Sequence, residues 1–178
     1  HRFSISSEQI PGVDLLGHII QAAVVAVGND GLAHGLEALQ VIDHQTLALQ
    51  RRALSGGESL KTNDEVKDMS DGEKILRKLI EPYKGKFVLV DVWGTWCSPC
   101  KRALSHSMEL YERMTPYDMV FLYLANRSDE DSWKNVIKEY NVTGDNVVHY
   151  NLPGEQQSAV ERFFRVNSYP TYRLIDRN

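Results

Sequence analysis

The chain has 178 residues, of which 42% are hydrophobic, so it is long enough for one well-buried domain with a small appendage but not for two full domains. Its net charge is −4 and no lysine–arginine cluster is longer than two residues, so nucleic-acid binding is not expected. The two cysteines, Cys97 and Cys100, lie in one short motif, which excludes a scaffold of several disulfides and leaves a redox pair or a metal-binding pair.

The amino-terminal part carries two patterns that are typical of helices. Apolar side chains recur at helical spacing over residues 11–27 and again over residues 32–49, with a glycine-rich turn between them. We therefore expect a helical segment over residues 1–54, which we interpret as a packing appendage or part of a larger domain. Its most apolar stretch, residues 19–27, is too short for a transmembrane helix of about 20 residues.

A change in composition marks the expected domain boundary. Residues 55–69 are rich in small, polar and charged side chains and predict a linker, so the main domain is expected over residues 70–178. Ser70 precedes Glu73 by three positions before an apolar helical pattern, which predicts a capping box at the start of a helix. The chain begins with a histidine and shows no signal-peptide pattern, which favours a processed piece of a longer protein.

The apolar run over residues 87–92 predicts a central strand that is buried on both faces, and Asp91 interrupts it. A turn then leads to Cys97 and Cys100, and a helical pattern follows. Cys97 is expected at the helix N-terminus, where the positive end of the helix dipole lowers the pKa of a thiol below its usual value of about 8.5. The later patterns predict strands over residues 119–125, 146–152 and 172–176, the first of them parallel to the central strand, and helices over residues 132–140 and 155–164.

The segment from Val90 to Cys100, VDVWGTWCSPC, resembles the active-site segment of the thioredoxin superfamily, and its GTWC portion resembles the extracytoplasmic TlpA/ResA-like branch. The resemblance implies an α/β class protein with a three-layer α/β/α thioredoxin-like fold and a helix–strand insertion. It also implies a thiol–disulfide oxidoreductase that reduces protein disulfides without a metal or other cofactor. The expected partners are a protein substrate and an upstream electron-donor protein, in the periplasm or another extracytoplasmic compartment, with room for a membrane anchor outside this chain.

The same resemblance assigns roles to particular residues. Cys97 is expected to attack a substrate disulfide as an exposed thiolate, and Cys100, which lies deeper, to resolve the mixed disulfide. Asp91 is expected to accept or relay the proton of Cys100. Ser98 and Pro99 are expected to tune the reduction potential.

The substrate side of the site is implied by residues far away in the sequence. Pro170 matches the family's cis-proline at the start of a strand, and the backbone of Tyr169 is then expected to pair with an extended substrate segment next to Cys97. Trp96 is expected to contribute to the same surface or to shield the cysteines.

The chain departs from the family at three places. Ala103 stands where the branch often has a glutamate, so a mechanism that relies on that acid does not transfer. Residues 119–125 contain no lysine, so burial is expected to raise the pKa of Asp91 with little opposition from a cation. The family's last strand and helix are missing before Asn178, which predicts an open sheet edge and a longer native protein.

Two functions of other classes remain as alternatives. One is a thioredoxin-fold metal-binding chaperone, in which Cys97 and Cys100 would bind a metal together with His106 or His149. The other is a non-catalytic interaction module that kept the fold without the activity.

Overall fold

The computed structural model describes residues 3–4 and 59–177, and within these ranges helices cover both faces of a five-stranded sheet. The predicted three-layer α/β/α fold is therefore confirmed. The strands are β1 (Phe3–Ser4), β2 (Phe87–Trp93), β3 (Met119–Ala125), β4 (Val147–Tyr150) and β5 (Thr171–Ile175). The helices are α1 (Gly72–Ile80), α2 (Ser98–Leu104), α3 (Ser107–Met114), α4 (Glu130–Glu139) and α5 (Gly154–Phe164).

The order of the strands in the sheet is β1-β5-β2-β3-β4. Strands β2, β3 and β4 are parallel because helical crossovers connect them, whereas β5 runs antiparallel to both β2 and β1. The predicted parallel pairing of the first two long strands is confirmed. Strand β2 therefore lies at the centre of the sheet, with β3 on one side and β5 on the other.

Side chains of β2 alternate between two apolar cores. Leu89 and Trp93 enter the core under α2, α3 and α4, whereas Val90 and Val92 enter the core under α1 and α5. Because both faces are covered, all residues of β2 and β3 are buried, and this explains why their sequences are apolar runs without alternation.

The predicted capping box at Ser70 is wrong. The N-cap of α1 is Asp71, whose carboxylate accepts a hydrogen bond from the backbone N–H of Lys74 at 2.9 Å. A carboxylate at this position caps the helix and also interacts favourably with the positive end of the helix dipole. Asp71 is therefore the N-cap, and Ser70 lies one position before it. Glu73 forms a salt bridge with Arg77 instead, at 2.6 Å.

The helical pattern after the cysteines forms two helices. Helix α2 ends at Leu104 and α3 begins at Ser107, with His106 as the residue that precedes it. The other strands and helices predicted within residues 70–178 are present, with bounds that differ by at most two residues.

The predicted helices over residues 11–27 and 32–49 lie outside the described residues. Phe3 and Ser4 form a short strand that pairs with Ile175 and Leu174, so the expected open edge of β5 is wrong at these two positions. In the part of the chain that the structure describes, every helix is too short or too polar to cross a membrane.

The expected linker is packed against the domain from Ser59 onward. The Ser59 hydroxyl donates a hydrogen bond to the carbonyl oxygen of Gly144 at 3.1 Å, and the N–H of Lys61 donates to the carbonyl oxygen of His149 at 3.0 Å. Val66 is fully buried, and its carbonyl accepts a hydrogen bond from the Gln156 side chain. Residues 59–69 are thus attached to the β4 edge and to α5, while the proposed boundaries at residues 54 and 69 stay predictions.

Two helix-starting glycines differ in how closely a neighbour approaches them. A Cβ atom on Gly72 would overlap sterically with the backbone carbonyl of Ala159 in α5, whereas a Cβ on Gly154 would meet nothing within 4 Å. We predict that Gly72→Ala lowers the free energy of unfolding by about 1–3 kcal/mol, since α1 and α5 must move apart. Gly154→Ala is the matched control and should change it by less than about 0.5 kcal/mol. Urea unfolding of both variants measures this, and equal stabilities would contradict the close packing.

Candidate active site

The two cysteines lie where β2 ends and α2 begins. The backbone N–H of Cys97 donates a hydrogen bond to the carbonyl of Gly94 at 3.0 Å, which closes the turn after β2. Cys97 is the N-cap of α2, and its carbonyl accepts the first helical hydrogen bond from Lys101 at 3.1 Å. The predicted position of Cys97 at a helix N-terminus is therefore confirmed.

Cys97 and Cys100 form a disulfide bond, with an S–S distance of 2.10 Å. The backbone N–H of Cys100 donates a hydrogen bond to the Cys97 sulfur at 3.2 Å. The expectation of an exposed Cys97 is wrong for this disulfide form, because only 4% of Cys97 and 1% of Cys100 is exposed. In the disulfide form, access to the Cys97 sulfur therefore depends on the groups around it.

Asp91 lies on the face of β2 that also carries Leu89 and Trp93, the face that packs against both cysteines. In the sheet register it is opposite Tyr123 of β3 and Tyr172 of β5. Its Oδ1 atom is buried and has no hydrogen-bond partner among the described residues. Burial raises the pKa of Asp91 from 3.8 to about 8, which confirms the expected direction.

The register between β2 and β5 brings the distant proline to the cysteine turn. Thr171 pairs with Val92, so Pro170 and Tyr169 lie beside the end of β2. The Tyr169–Pro170 peptide bond is cis, as predicted, and Pro170 is buried.

Trp96 and Tyr169 form the aromatic surface of this region. Their rings meet edge to face, with centroids 5.2 Å apart and an interplanar angle of 75°. The indole N–H of Trp96 donates a hydrogen bond to the Asn126 carbonyl at 3.0 Å, and 53% of Trp96 remains exposed. Among the residues that the structure describes, Trp96 is the one large apolar side chain that is exposed.

The loop after β3 holds the cysteine turn in place. The N–H of Asn126 donates to the Trp93 carbonyl at 2.7 Å, and the N–H of Thr95 donates to the Ser128 hydroxyl at 3.0 Å. Asn126 was not among the site residues predicted from the sequence. A polar residue directly after a central parallel strand is the signal that could have identified it, since such strand ends converge at one sheet edge.

Glu161 of α5 is a second residue that sequence analysis missed. Its Oε1 atom accepts hydrogen bonds from the side chains of Asn126 at 2.8 Å and Gln157 at 2.9 Å. Its Oε2 atom accepts a hydrogen bond from the Tyr169 hydroxyl at 2.8 Å. The carboxylate thus joins α5, the loop after β3 and the loop before β5. In the sequence Glu161 is one polar residue on an amphipathic helix, so no signal marked it.

Ser98 and Pro99 occupy the first turn of α2 and are both exposed. Proline is well suited to this position because its missing N–H is not needed there. The influence of both residues on the reduction potential stays a prediction.

The two histidines in the described part of the chain, His106 and His149, do not join the cysteines in a common site. His149 is completely buried, and its Nε2 atom donates a hydrogen bond to the Val142 carbonyl at 2.6 Å. Burial lowers the pKa of His149 to about 4. His106 is exposed at the start of α3, and residues 3–4 and 59–177 contain no group of three potential ligands that could hold a metal ion. The metal-chaperone alternative is therefore not favoured, and neither is an inactive module, because the cysteine pair is intact.

Asp91 should make the stability of the disulfide form depend on pH. Because its pKa is about 8 in the folded protein and 3.8 for an exposed aspartate, the folded state binds more protons between these values. The free energy of unfolding therefore falls as the pH rises from about 4 to about 8, by up to about 1.4 kcal/mol per pH unit. We predict that Asp91→Asn flattens this dependence and is more stable than the wild type at pH 8.

Urea unfolding at several pH values tests this prediction. Asp145→Asn is the control, because Asp145 is exposed and its curve should run parallel to that of the wild type. Parallel curves for Asp91→Asn and the wild type would show that the buried acid does not carry the predicted charge penalty.

The carboxy-terminal part of the chain is similar to known proteins. A family model described as thioredoxin-like matches residues 85–178. The thiol-disulfide oxidoreductase ResA of Bacillus cereus is 28% identical over 108 residues, which cover 61% of this chain and 57% of that protein. ResA of Geobacillus kaustophilus is 28% identical over 99 residues, which cover 56% of this chain and 53% of that protein.

The matches thus span little more than half the length of these relatives. Among solved structures, the thioredoxin domain of a thiol-disulfide oxidoreductase from Bacteroides vulgatus is 24% identical, with a TM-score of 0.48. The alignment covers 55% of this chain and 68% of that one. Because the family model matches more than half of the sequence, from the turn before β2 to the last residue, the chain belongs to the thioredoxin-like family.

Proposed function

We propose that the protein is a thiol–disulfide oxidoreductase that reduces protein disulfides through the Cys97–Cys100 couple. The observation that carries the proposal is the disulfide at the N-terminus of α2, in which the Cys100 N–H donates to the Cys97 sulfur. In the reduced protein the same N–H and the helix dipole would stabilise a Cys97 thiolate, which is the nucleophile in disulfide exchange. The relatives named thiol-disulfide oxidoreductase support this assignment.

The reaction has two exchange steps. The Cys97 thiolate attacks one sulfur of the substrate disulfide, a mixed disulfide forms, and the first substrate sulfur leaves as a thiolate. Cys100 then loses its proton and attacks the Cys97 sulfur, which breaks the mixed disulfide and releases the second substrate thiolate. Two electrons pass to the substrate, its thiolates take up two protons, and the protein is left with the Cys97–Cys100 disulfide.

Asp91 is proposed to accept the proton of Cys100. It belongs to the face of β2 that packs against Cys100, its Oδ1 atom has no hydrogen-bond partner among the described residues, and its pKa is about 8. An acid with a pKa near the working pH can accept a proton and release it again in the next cycle.

Trp96, Tyr169 and Pro170 are proposed to receive the substrate. All three lie at the edge of the sheet where the cysteine turn begins, and the two rings are in contact. An extended segment of the substrate would pair with the backbone next to Pro170 while its disulfide faces Cys97.

The couple itself carries the electrons, so the proposed reaction requires no metal or organic cofactor. Each turnover leaves a disulfide, and therefore an upstream protein must donate two electrons to restore the dithiol. The resemblance to the extracytoplasmic branch supports an extracytoplasmic location. With a net charge of −4, nucleic acid is not a proposed partner.

Substitution of the nucleophile tests the proposed function. We predict that Cys97→Ser reduces the rate of insulin disulfide reduction, measured by turbidity with dithiothreitol as the electron donor, to that of dithiothreitol alone. His106→Ala is the control, because this exposed side chain is not in the proposed site, and it should retain the wild-type rate. Equal rates for the wild type and Cys97→Ser would refute the proposal, and loss of activity in His106→Ala would favour the metal alternative.

A further inference from the structure

We propose that Glu161 is a positioning residue, which holds the rings of Trp96 and Tyr169 in the arrangement that receives a protein substrate. The inference rests on the proposed function and goes beyond it, since Glu161 touches neither cysteine in the proposed reaction. It follows from one carboxylate that connects the three chain segments around the disulfide.

The Glu161 carboxylate is a hydrogen-bond acceptor that holds several donor side chains in place. Its carboxylate accepts hydrogen bonds from three neutral side chains, those of Asn126, Gln157 and Tyr169, at 2.8–2.9 Å. Hydrogen bonds to a charged acceptor are shorter and stronger than neutral ones and depend on its charge. Gln157 lies one turn earlier on α5 and keeps the carboxylate oriented, so the other two donors are fixed relative to the helix.

Asn126 connects Glu161 to Trp96 through hydrogen bonds. Its side chain is bound to Glu161, its N–H donates to the Trp93 carbonyl, and its own carbonyl accepts the indole N–H of Trp96. A Cβ atom on Gly94 would lie 2.6 Å from the indole nitrogen, so the ring rests directly against the backbone of the turn. Glu161 thereby fixes one edge of the Trp96 ring through a single intermediate residue.

Tyr169 provides the second connection. Its hydroxyl donates to Glu161 at 2.8 Å, and its ring meets Trp96 edge to face. Burial and the hydrogen bond to Glu161 raise the pKa of Tyr169 to about 12, so the hydroxyl remains a donor at all working pH values. The positions of both rings therefore depend on hydrogen bonds that lead to the same carboxylate.

An exposed aromatic ring that is fixed by hydrogen bonds is suited to binding. Trp96 is 53% exposed, so fewer packing contacts restrain it than restrain a buried ring, and the hydrogen bond to Asn126 adds to its contacts with Gly94 and Tyr169. Rings that are already in place lose little conformational entropy when a partner docks, which improves affinity. A protein substrate would contact both rings, whereas a small aliphatic disulfide would reach the cysteine pair without them.

The variant Glu161→Gln tests this role, because it keeps the size of the side chain and removes the charge and one acceptor atom. We expect the KM for insulin to rise by about tenfold, the change that the loss of one charge-assisted hydrogen bond produces. The kcat for insulin and the rate with bis(2-hydroxyethyl) disulfide should change by less than about twofold. Glu155→Gln, on the first turn of the same helix, is the matched control and should leave all three values unchanged.

Tyr169→Phe is a second variant, which removes only the hydroxyl donor and keeps the ring. Its KM for insulin should also rise, and the double variant with Glu161→Gln should show less than the sum of the two effects, because both break the same bond. Fully additive effects, or an unchanged KM in Glu161→Gln, would overturn the inference.

Acrylamide quenching gives a readout that does not depend on turnover. Of the three tryptophans, Trp93 is fully buried and Trp133 is 2% exposed, so quenching reports on Trp96. Glu161→Gln should raise the quenching constant of Trp96, because the ring is held less firmly. An unchanged constant would overturn the inference about Glu161, and insulin reduction by the wild type would still support the proposed function. Altered quenching in a protein whose wild type does not reduce insulin would instead refute the proposed function and uphold the positioning of the ring.

Discussion

The antiparallel pairing of β5 with β2 is the contact on which the site depends. Because Thr171 pairs with Val92, β5 begins where β2 ends, and the segment before β5 meets the cysteine turn across the sheet. Strand β3 runs parallel to β2, so its last residues reach the same edge and deliver Asn126 there. Three distant stretches of chain are thereby assembled by backbone register alone. Side chains such as Glu161 then refine their relative positions.

The same scaffold contains an unfavourable feature at its centre. Asp91 is an acidic residue in an otherwise apolar strand that is buried on both faces. One of its carboxylate oxygens has no hydrogen-bond partner in the described part of the chain. A buried acid lowers stability in its charged form, which is why its pKa is raised to about 8. Functional sites often retain such local costs, and here the cost falls on the residue that is proposed to accept the proton of Cys100.

Much of this arrangement is predictable from the sequence, and the exceptions have physical reasons. The strands, the place of Cys97 at a helix N-terminus and the raised pKa of Asp91 follow from local patterns of burial. The helix cap was misplaced because Ser70 and Asp71 compete for one position and the carboxylate is the stronger acceptor. The role of Glu161 could not be predicted, because it depends on three-dimensional packing that no spacing encodes.

The most direct test of the central claim is to trap the mixed disulfide. Reduced Cys100→Ser, incubated with an oxidised protein substrate, should form a covalent complex whose mass equals the sum of the two proteins and whose cross-link maps to Cys97. The complex should dissociate on addition of dithiothreitol and should not form with Cys97→Ser. A complex cross-linked through Cys100 in Cys97→Ser, or no complex with either variant, would contradict the assignment of Cys97 as the nucleophile.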